Sequence, residues 1–244
     1  MEKYDLCVIG AGPSGYAAAM RAIDFGKKVV LIEKDKIGGA GLYNGALTSK
    51  TMWELSQKVR TVNNSIVSSG RSKFDISWEQ VKTTMQEAVF DRKFQYSCHI
   101  KLLQSEELNQ CFKYERGFAS FIDNHIVKIQ KSNGNLKEIY ADNIIIAIGS
   151  TPRHLPNIKV DEQIILTSNG VDSMNDFPKS MVIVGAGVIG CEYATMFSNF
   201  GKTKIYLIDR ADKILPFEDE DISNLIGNNL TKNGVTIHQN ANLE

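Results

Sequence analysis

Residues 5–33 read D-L-C-V-I-G-A-G-P-S-G-Y-A-A-A-M-R-A-I-D-F-G-K-K-V-V-L-I-E, and few folds accommodate that order of features. Residues 6–9 are a short apolar run, long enough for a buried parallel strand. The run enters Gly10-Ala11-Gly12-Pro13-Ser14-Gly15, a G-x-G-x-x-G turn. Gly10 permits the tight turn, and Gly12 lets backbone approach a pyrophosphate with no Cβ in the way. Gly15 and Ala19 allow the following helix to lie close to the strand. Pro13 suits a first helical turn, where its missing N–H is not needed. The helix should end near Phe25-Gly26 with Lys27 and Lys28 beside it. A second strand, residues 29–32, ends in Glu33, 18 residues after Gly15. A carboxylate there can accept hydrogen bonds from both ribose hydroxyls of an adenosine, while the helix start holds the diphosphate.

The same arrangement recurs 175 residues later. A strand at residues 181–184 leads into Gly185-Ala186-Gly187-Val188-Ile189-Gly190, with Ala194 four residues on. The next strand, residues 205–208, ends in Asp209, 19 residues after Gly190. One such turn is weak evidence of binding. Two complete copies form an internal repeat with a mechanism, two dinucleotides held by one protein. The expected fold class is therefore α/β, with two Rossmann-like dinucleotide-binding modules and a small β-meander insertion.

Between the copies the chain changes character. Four glycines fall within residues 38–45, so backbone there passes close to something flat or charged. A helix follows with a stripe of Leu55, Val59, Val62 and Ile66, ending near Gly70. A second helix opens with a Ser77/Gln80 capping box and an Ile76/Val81 staple. Its apolar face is Trp78, Val81, Met85, Ala88 and Val89, and both stripes read as core. From Cys111 onward short β segments are expected at residues 118–122, 126–129 and 136–140, with a hairpin turn at residues 132–135. The continuous run 143–148 reads as a buried central strand ending in Gly149-Ser150-Thr151-Pro152, at the carboxyl end where α/β sheets take ligands. These features set expected domains of 1–150 (with a helical segment 51–96 and β segments 111–140), a linker 151–180 beginning with a proline-bearing stretch up to Asn157, and a partial second domain 181–244. In that second domain a helix over residues 219–229 and a strand over residues 235–237 follow. Only about three strands are expected there, which would leave one sheet edge raw.

Composition narrows the partners. Lys plus Arg and Asp plus Glu number 28 each, so no charge field for nucleic acid or a membrane surface is implied. There is no apolar run of 18 residues, and Met1 stands four residues ahead of the first strand, leaving no room for a transit peptide. Cys7, Cys98, Cys111 and Cys191 are scattered, the four histidines are isolated, and no metal site is expected. Cys7 and Cys191 read as packed apolar groups. The expectation is a protein of a reducing, cytoplasmic compartment.

With both fingerprints, the Gly38-Gly39 segment and Ala147-x-Gly149-Ser150-x-Pro152, the chain resembles the pyridine nucleotide–disulfide oxidoreductase family over essentially its whole length. The likeness is greatest to its dihydrolipoamide dehydrogenase and soluble transhydrogenase branches, the stretch V-G-A-G-V-I-G-C-E-Y-A with D-K-I-L-P-F-E-D-E-D being especially transhydrogenase-like. The resemblance implies FAD at the first fingerprint and NAD(H) at the second, with NADP(H) left open. It implies FAD contacts from Gly10, Gly12, Pro13, Ser14, Gly15, Glu33, Lys34, Gly38, Gly39, Lys50, Ala119, Ala147 and Gly149. It implies nicotinamide-nucleotide contacts from Gly185, Gly187, Ile189, Gly190, Glu192 and Asp209. Arg210, next to Asp209, could pair with a 2′-phosphate and is taken with them. Lys50 and Glu192 are the implied catalytic pair beside the flavin, although a lysine alone reads as a solvated surface group.

Two departures qualify the resemblance. The family pattern Gly-Gly-x-Cys-x4-Cys-x3-Lys has Gly41 and Ala46 here where the redox cysteines belong, and Tyr43 and Thr48 also depart from it. Full members further carry the rest of the nucleotide domain, a second flavin segment and a dimerisation domain with a His–Glu pair, none of which these 244 residues include. The implied activity is hydride transfer from NAD(P)H to flavin and on to a second nicotinamide or an unidentified acceptor, without a redox-active disulfide. The alternatives are a non-catalytic FAD- or nucleotide-binding protein and a fragment of a longer dihydrolipoamide dehydrogenase-like enzyme. A full-length form is expected to be a homodimer.

Overall fold

The strand-turn-helix-strand order read from residues 5–33 is present in a computed structural model, which describes residues 1–43, 45–68, 72–105, 110–156 and 158–241. Asn44, Gly70, Asn157 and Glu244 lie outside the described residues. The chain divides into two compact units, residues 1–48 with 86–160 and residues 49–85 with 161–244. The helical segment expected wholly within 1–150 is thus shared between the units, and the second begins at residue 161, inside the expected linker.

In the first unit β1 (Glu2–Ile9), α1 (Pro13–Asp24) and β2 (Val29–Glu33) form a parallel βαβ unit. Pro13 is at the first helical position, and Gly26, at φ 67°, follows the helix end. All five residues of β2 are buried because its two faces serve different cores. Val29 and Leu31 join Leu6, Val8, Ala19, Ile100 and Leu103, while Val30 and Ile32 join Val127, Ile129, Ile139 and Ala141. The sheet runs β3-β2-β1-β6-β5-β4, where β3 is Phe112–Arg116, β4 Phe118–Phe121, β5 Ile126–Gln130 and β6 Leu136–Ile146.

The separate segments expected at 136–140 and 143–148 are one strand in two partnerships. Residues 136–140 of β6 pair antiparallel with β5, and residues 139–146 pair parallel with β1. The run is central in the sheet but not buried. Ile145, Ile146 and Ile148 are 39%, 61% and 73% exposed, and none of the three belongs to a core cluster of the described residues, although Ile144 packs against one. β3 falls within the β region expected over 111–140, although it is not one of the three segments specified there.

The second unit holds most of α3 (Ala46–Ser68) and the start of α4 (Trp78–Leu103). The capping box forms as read. Gln80 N–H donates to Ser77 Oγ at 3.2 Å and Ser77 N–H donates to Gln80 Oε1 at 2.9 Å. Met52, Val59, Ile76, Trp78, Val81 and Met85 are core, whereas Val62 of the expected stripe is 42% exposed. The rest comprises β7 (Ser180–Val184), α5 (Val188–Phe200), β8 (Lys204–Ile208), α6 (Glu220–Lys232) and β9 (Thr236–His238). The three strands are parallel in the order β7-β8-β9. Among the described residues β7 is therefore an edge, with Val182 and Val184 exposed. Among the described residues no helix is long and apolar enough to cross a membrane, and no three of His, Cys, Asp and Glu cluster as metal ligands.

Candidate functional site

Both glycine turns have one geometry. Gly10 sits at φ 101° and Gly185 at φ 103°, a region that L side chains rarely adopt. A Cβ on Gly15 would stand 1.9 Å from Gly10 O, and one on Gly190 would stand 1.9 Å from Gly185 O, so helix and turn touch backbone to backbone. Gly12 and Gly187 are the N-caps of α1 and α5, at φ −69° and −76° with ψ near 180°. Any residue adopts those angles, and a Cβ at either position would meet nothing within 4 Å. Glycine at 12 and 187 therefore has no reason internal to the chain.

The acids close the turns. Glu33 Oε2 accepts the Ala11 N–H at 2.7 Å and Oε1 accepts the Asp35 N–H at 2.8 Å. Asp209 repeats this, its Oδ2 accepting from Ala186 at 2.5 Å and its Oδ1 from Ala211 at 2.8 Å. Both carboxylates brace the middle residue of G-x-G, and each oxygen retains a lone pair for a further donor. Sequence reasoning missed Ala11 and Ala186 in this part. The signal was available, since a small residue between the glycines leaves room for the bracing carboxylate.

Around the first turn the structure gathers most of the expected positions. Gly38 N–H donates to Ala11 O at 2.8 Å, and a Cβ on Gly39 would stand 3.2 Å from Gly12 Cα. Ala147 N–H donates to Ile9 O at 2.7 Å, and its carbonyl lies 2.2 Å from where a Gly10 Cβ would be. Pro13, Ser14 and Lys34 are exposed, as is Gly149, which sits at φ 75°. Ala119 lies on β4, at the far end of the sheet order, two residues beyond Gly117, whose N–H donates to Glu33 O at 2.9 Å. Gly41 lies against Pro13, with 2.4 Å between its absent Cβ and Pro13 Cγ, and Ala46 is exposed.

In the second unit Lys50 on α3 donates to Glu192 on α5, with Nζ and Oε1 2.6 Å apart and the side chains 58% and 29% exposed. These residues are 142 positions apart, and only the family resemblance pointed to their pairing. Ile189 is exposed at the start of α5, and Arg210 is exposed beyond Asp209. Burial pushes the Cys191 thiol up to about 11, with the nearby Asp209 charge adding to it, and burial pushes Cys7 up to about 12. Both remain protonated at neutral pH and so are poor nucleophiles.

A βαβ unit with a braced G-x-G-x-x-G turn, present twice, is the local geometry of dinucleotide-binding α/β folds. The pattern of the pyridine nucleotide-disulphide oxidoreductase family matches residues 4–244, and the chain belongs to that family. It is 36% identical over 242 residues to a dihydrolipoyl dehydrogenase of Bacillus subtilis, covering 98% of this chain and 51% of that protein. It is 31% identical over 243 residues to the soluble pyridine nucleotide transhydrogenase of Azotobacter vinelandii, covering 99% and 51%. Among solved structures, LpdA from Mycobacterium tuberculosis superimposes with a TM-score of 0.84 at 25% identity, over 99% of this chain and 52% of that one. A Cu(II) complex of the HOCl-induced flavoprotein disulfide reductase RclA from Escherichia coli gives 0.78 at 27% identity, over 100% and 51%. The chain spans about half the length of the relatives it matches.

Proposed function

We propose that the intact protein is an oxidoreductase that takes hydride from a reduced nicotinamide nucleotide onto FAD and passes it to a second nicotinamide or another acceptor without a redox disulfide. The observation that carries this reading is the pair of open glycines, Gly12 and Gly187. Neither backbone angle nor packing within the chain calls for glycine there, so the space belongs to something from outside, and a diphosphate at a helix N-terminus fits it. Gly10, Gly12 and Gly15, with Gly38 and Gly39 alongside, cradle the FAD diphosphate, and Gly185, Gly187 and Gly190 that of the nicotinamide nucleotide. Glu33 and Asp209, already braced by two backbone N–H groups each, present their remaining lone pairs to ribose hydroxyls.

FAD, when bound, supplies the two-electron carrier chemistry. The chain's own contribution is binding and orientation. Glu192 fixes the Lys50 ammonium by a charge-assisted hydrogen bond, placing one defined positive charge in the second unit. Gly41 and Ala46 bring no sulfur, Cys7 and Cys191 are held as thiols, and the exposed Cys98 on α4 and Cys111 beside the start of β2 belong to other elements than the glycine turns, so electrons leave without thiol exchange. Asp209 favours NADH, because a carboxylate accepts from a 2′-hydroxyl and repels a 2′-phosphate. Retention of the Lys50–Glu192 pair supports an enzyme over a non-catalytic nucleotide-binding protein. The remaining positions, Pro13, Ser14, Lys34, Ala119, Ala147, Gly149, Ile189 and Arg210, are assigned here to the same two ligands, and the full-length form is read as a homodimer.

The test is stopped-flow reduction of the FAD-reconstituted intact protein by NADH and by NADPH. The expected result is yellow protein, faster reduction at lower concentration by NADH, and no long-wavelength thiolate absorbance after two-electron reduction. Protein that stays colourless with FAD overturns the reading. Faster reduction by NADPH overturns the Asp209 assignment alone.

A further inference from the structure

An ion pair as exposed as Lys50–Glu192 contributes little stability and restrains two flexible side chains at an entropic cost, so it does not hold its own helices in register. Something else seats Lys50 against Glu192. The core beneath it, Met52, Val59, Ala194 and Phe197 among others, is apolar, and apolar contact is non-directional. One buried cluster in that core is polar. Asn199 on α5 is 6% exposed and Ser56 on α3 is fully buried. Ser56 Oγ donates to Trp53 O at 2.8 Å, so its oxygen is left to accept, and Asn199 Nδ2 donates to it at 3.2 Å. Asn199 Oδ1 then faces the donor-only guanidinium of Arg60, which it accepts at 3.3 Å. These bonds are directional, unlike the apolar contacts around them, and they tie α3 to α5 at defined residues.

The spacing makes this register the one that matters. Ser56 lies six residues after Lys50, about 9 Å along α3, and Asn199 lies seven residues after Glu192, about 10 Å along α5 at 1.5 Å per residue. The two links run in the same chain sense, Lys50 to Ser56 on α3 and Glu192 to Asn199 on α5, so the buried amide joins at one level the same two helices that the ion pair joins at another. A slip along the apolar interface would break the Asn199 bonds and part Lys50 from Glu192 together. We propose that Asn199, with Ser56 as its acceptor, is a positioning residue that seats Lys50 against Glu192. The catalytic consequence of this seating rests on the function proposed above, whereas the seating itself does not.

The experiment has a flavin-free arm and a holoprotein arm, each run on wild type, Asn199→Leu and Ser56→Ala. Without flavin, hydrogen exchange of the Lys50 ammonium is followed by 15N NMR, assigned with Lys50→Met and calibrated to the unpaired state with Glu192→Gln. Exchange in both variants should rise to the Glu192→Gln rate while the urea midpoint of Ser56→Ala stays close to wild type. In the holoprotein, the interaction between Lys50→Met and Glu192→Gln is measured on flavin reduction by NADH, and each variant should abolish it. Each should also lower the rate about 10-fold or more with little change in the NADH concentration dependence, the scale on which a misplaced group costs catalysis. Wild-type exchange rates in both variants, or a pair interaction that persists in them, overturn the proposal. If Asn199→Leu fails to fold, Ser56→Ala decides alone. If the wild-type holoprotein shows no pair interaction, the catalytic reading of the pair fails, and the exchange arm still decides the positioning.

Discussion

The turn at residues 10–15 and the turn at residues 185–190 share backbone angles, helix contacts and bracing acid, yet they sit in different company. A Cβ on Gly10 would collide with Ala147 O at 2.2 Å, because β6 lies beside β1 and ends there. A Cβ on Gly185 would meet nothing within 4 Å, because β7 is the edge of its sheet among the described residues. One motif thus uses its first glycine for two reasons in the first unit and for one in the second. A fingerprint reports a local conformation, and the neighbouring strand decides how much each glycine is worth.

The largest difference between the turns should come from alanine at each first glycine. Gly185→Ala carries only the strain of φ 103°, about 1–2 kcal/mol. Gly10→Ala carries the same strain plus a clash with a backbone carbonyl that cannot swing aside, for a total of about 3–4 kcal/mol. Both tryptophans, Trp53 and Trp78, lie in the second unit, so their fluorescence reports Gly185→Ala, and native-state hydrogen exchange in β1 and β6 reports Gly10→Ala. Equal losses would mean that the two turns have the same neighbours after all.

A second contrast lies between charges. The first unit holds a network centred on the buried Glu115, 5% exposed, which accepts from Lys137 at 2.7 Å and lies 3.1 Å from Lys131 Nζ, while Lys137 also donates to Glu2 at 3.1 Å. Burial by itself pushes the Glu115 carboxyl up, but the hydrogen bonds from Lys137 and Lys131 outweigh it and hold the group below its ordinary 4.5. Burial likewise pushes Lys137 down, and its bonds to Glu115 and Glu2 outweigh that and hold it above 10.5. Lys137→Met should cost about 2 kcal/mol at neutral pH, less than a fully buried pair because Lys131 remains. A lowered carboxylate contributes stability above its unfolded value that is lost as pH falls through its folded value. A raised lysine contributes stability below its unfolded value that is lost as pH rises through its folded value. The gap between wild type and Lys137→Met should therefore be widest between 4.5 and 10.5 and close on either side, as urea midpoints across pH would show.

What was legible in the sequence follows from how local each feature is. The glycine turns, the Pro13 start, the Ser77/Gln80 box and the Gly134 hairpin involve residues a few positions apart, and all formed as read. β6 was misread because Ala141-Asp142-Asn143 looks like a break, whereas the strand changes partners there from β5 to β1. β3 was not specified within its β region because its pairing is with β2, some 80 residues away. The α4 helix reaches Leu103, past the expected end at 96, and Phe90 and Phe94 on its path are exposed, so periodicity gives no guide there. The Asn199–Ser56 bond spans 143 residues and leaves no trace in composition or spacing.

At the open glycines, unlike the first ones, the two turns should agree. Gly12→Val and Gly187→Val add side chains to empty space at ordinary backbone angles, so each should cost no more than about 1 kcal/mol, the scale of a poorer N-cap. Each should nevertheless abolish binding of its own dinucleotide and spare the other. Isothermal titration of the intact protein with FAD and with NADH checks the pairing, and loss of both ligands from one substitution would mean that the turns do not act independently.

The smallest expected change in stability comes from the pair that matters most for the proposed chemistry. Lys50 is 58% exposed, and exposed ion pairs are worth about 0–1 kcal/mol, so Lys50→Met should shift the urea midpoint by no more than that, in contrast to Lys137→Met. Its rate of flavin reduction by NADH should still fall about 100-fold, because a charge fixed at a reacting centre acts on the transition state and not on the fold. Lys50→Arg keeps the charge but spreads it over a planar fork that cannot repeat the single 2.6 Å contact with Glu192, so it should recover the stability and only part of the rate. Were Lys50→Met as costly to folding as Lys137→Met, the pair would be a structural clasp like the Glu115 network. The second unit would then hold no counterpart to a catalytic centre.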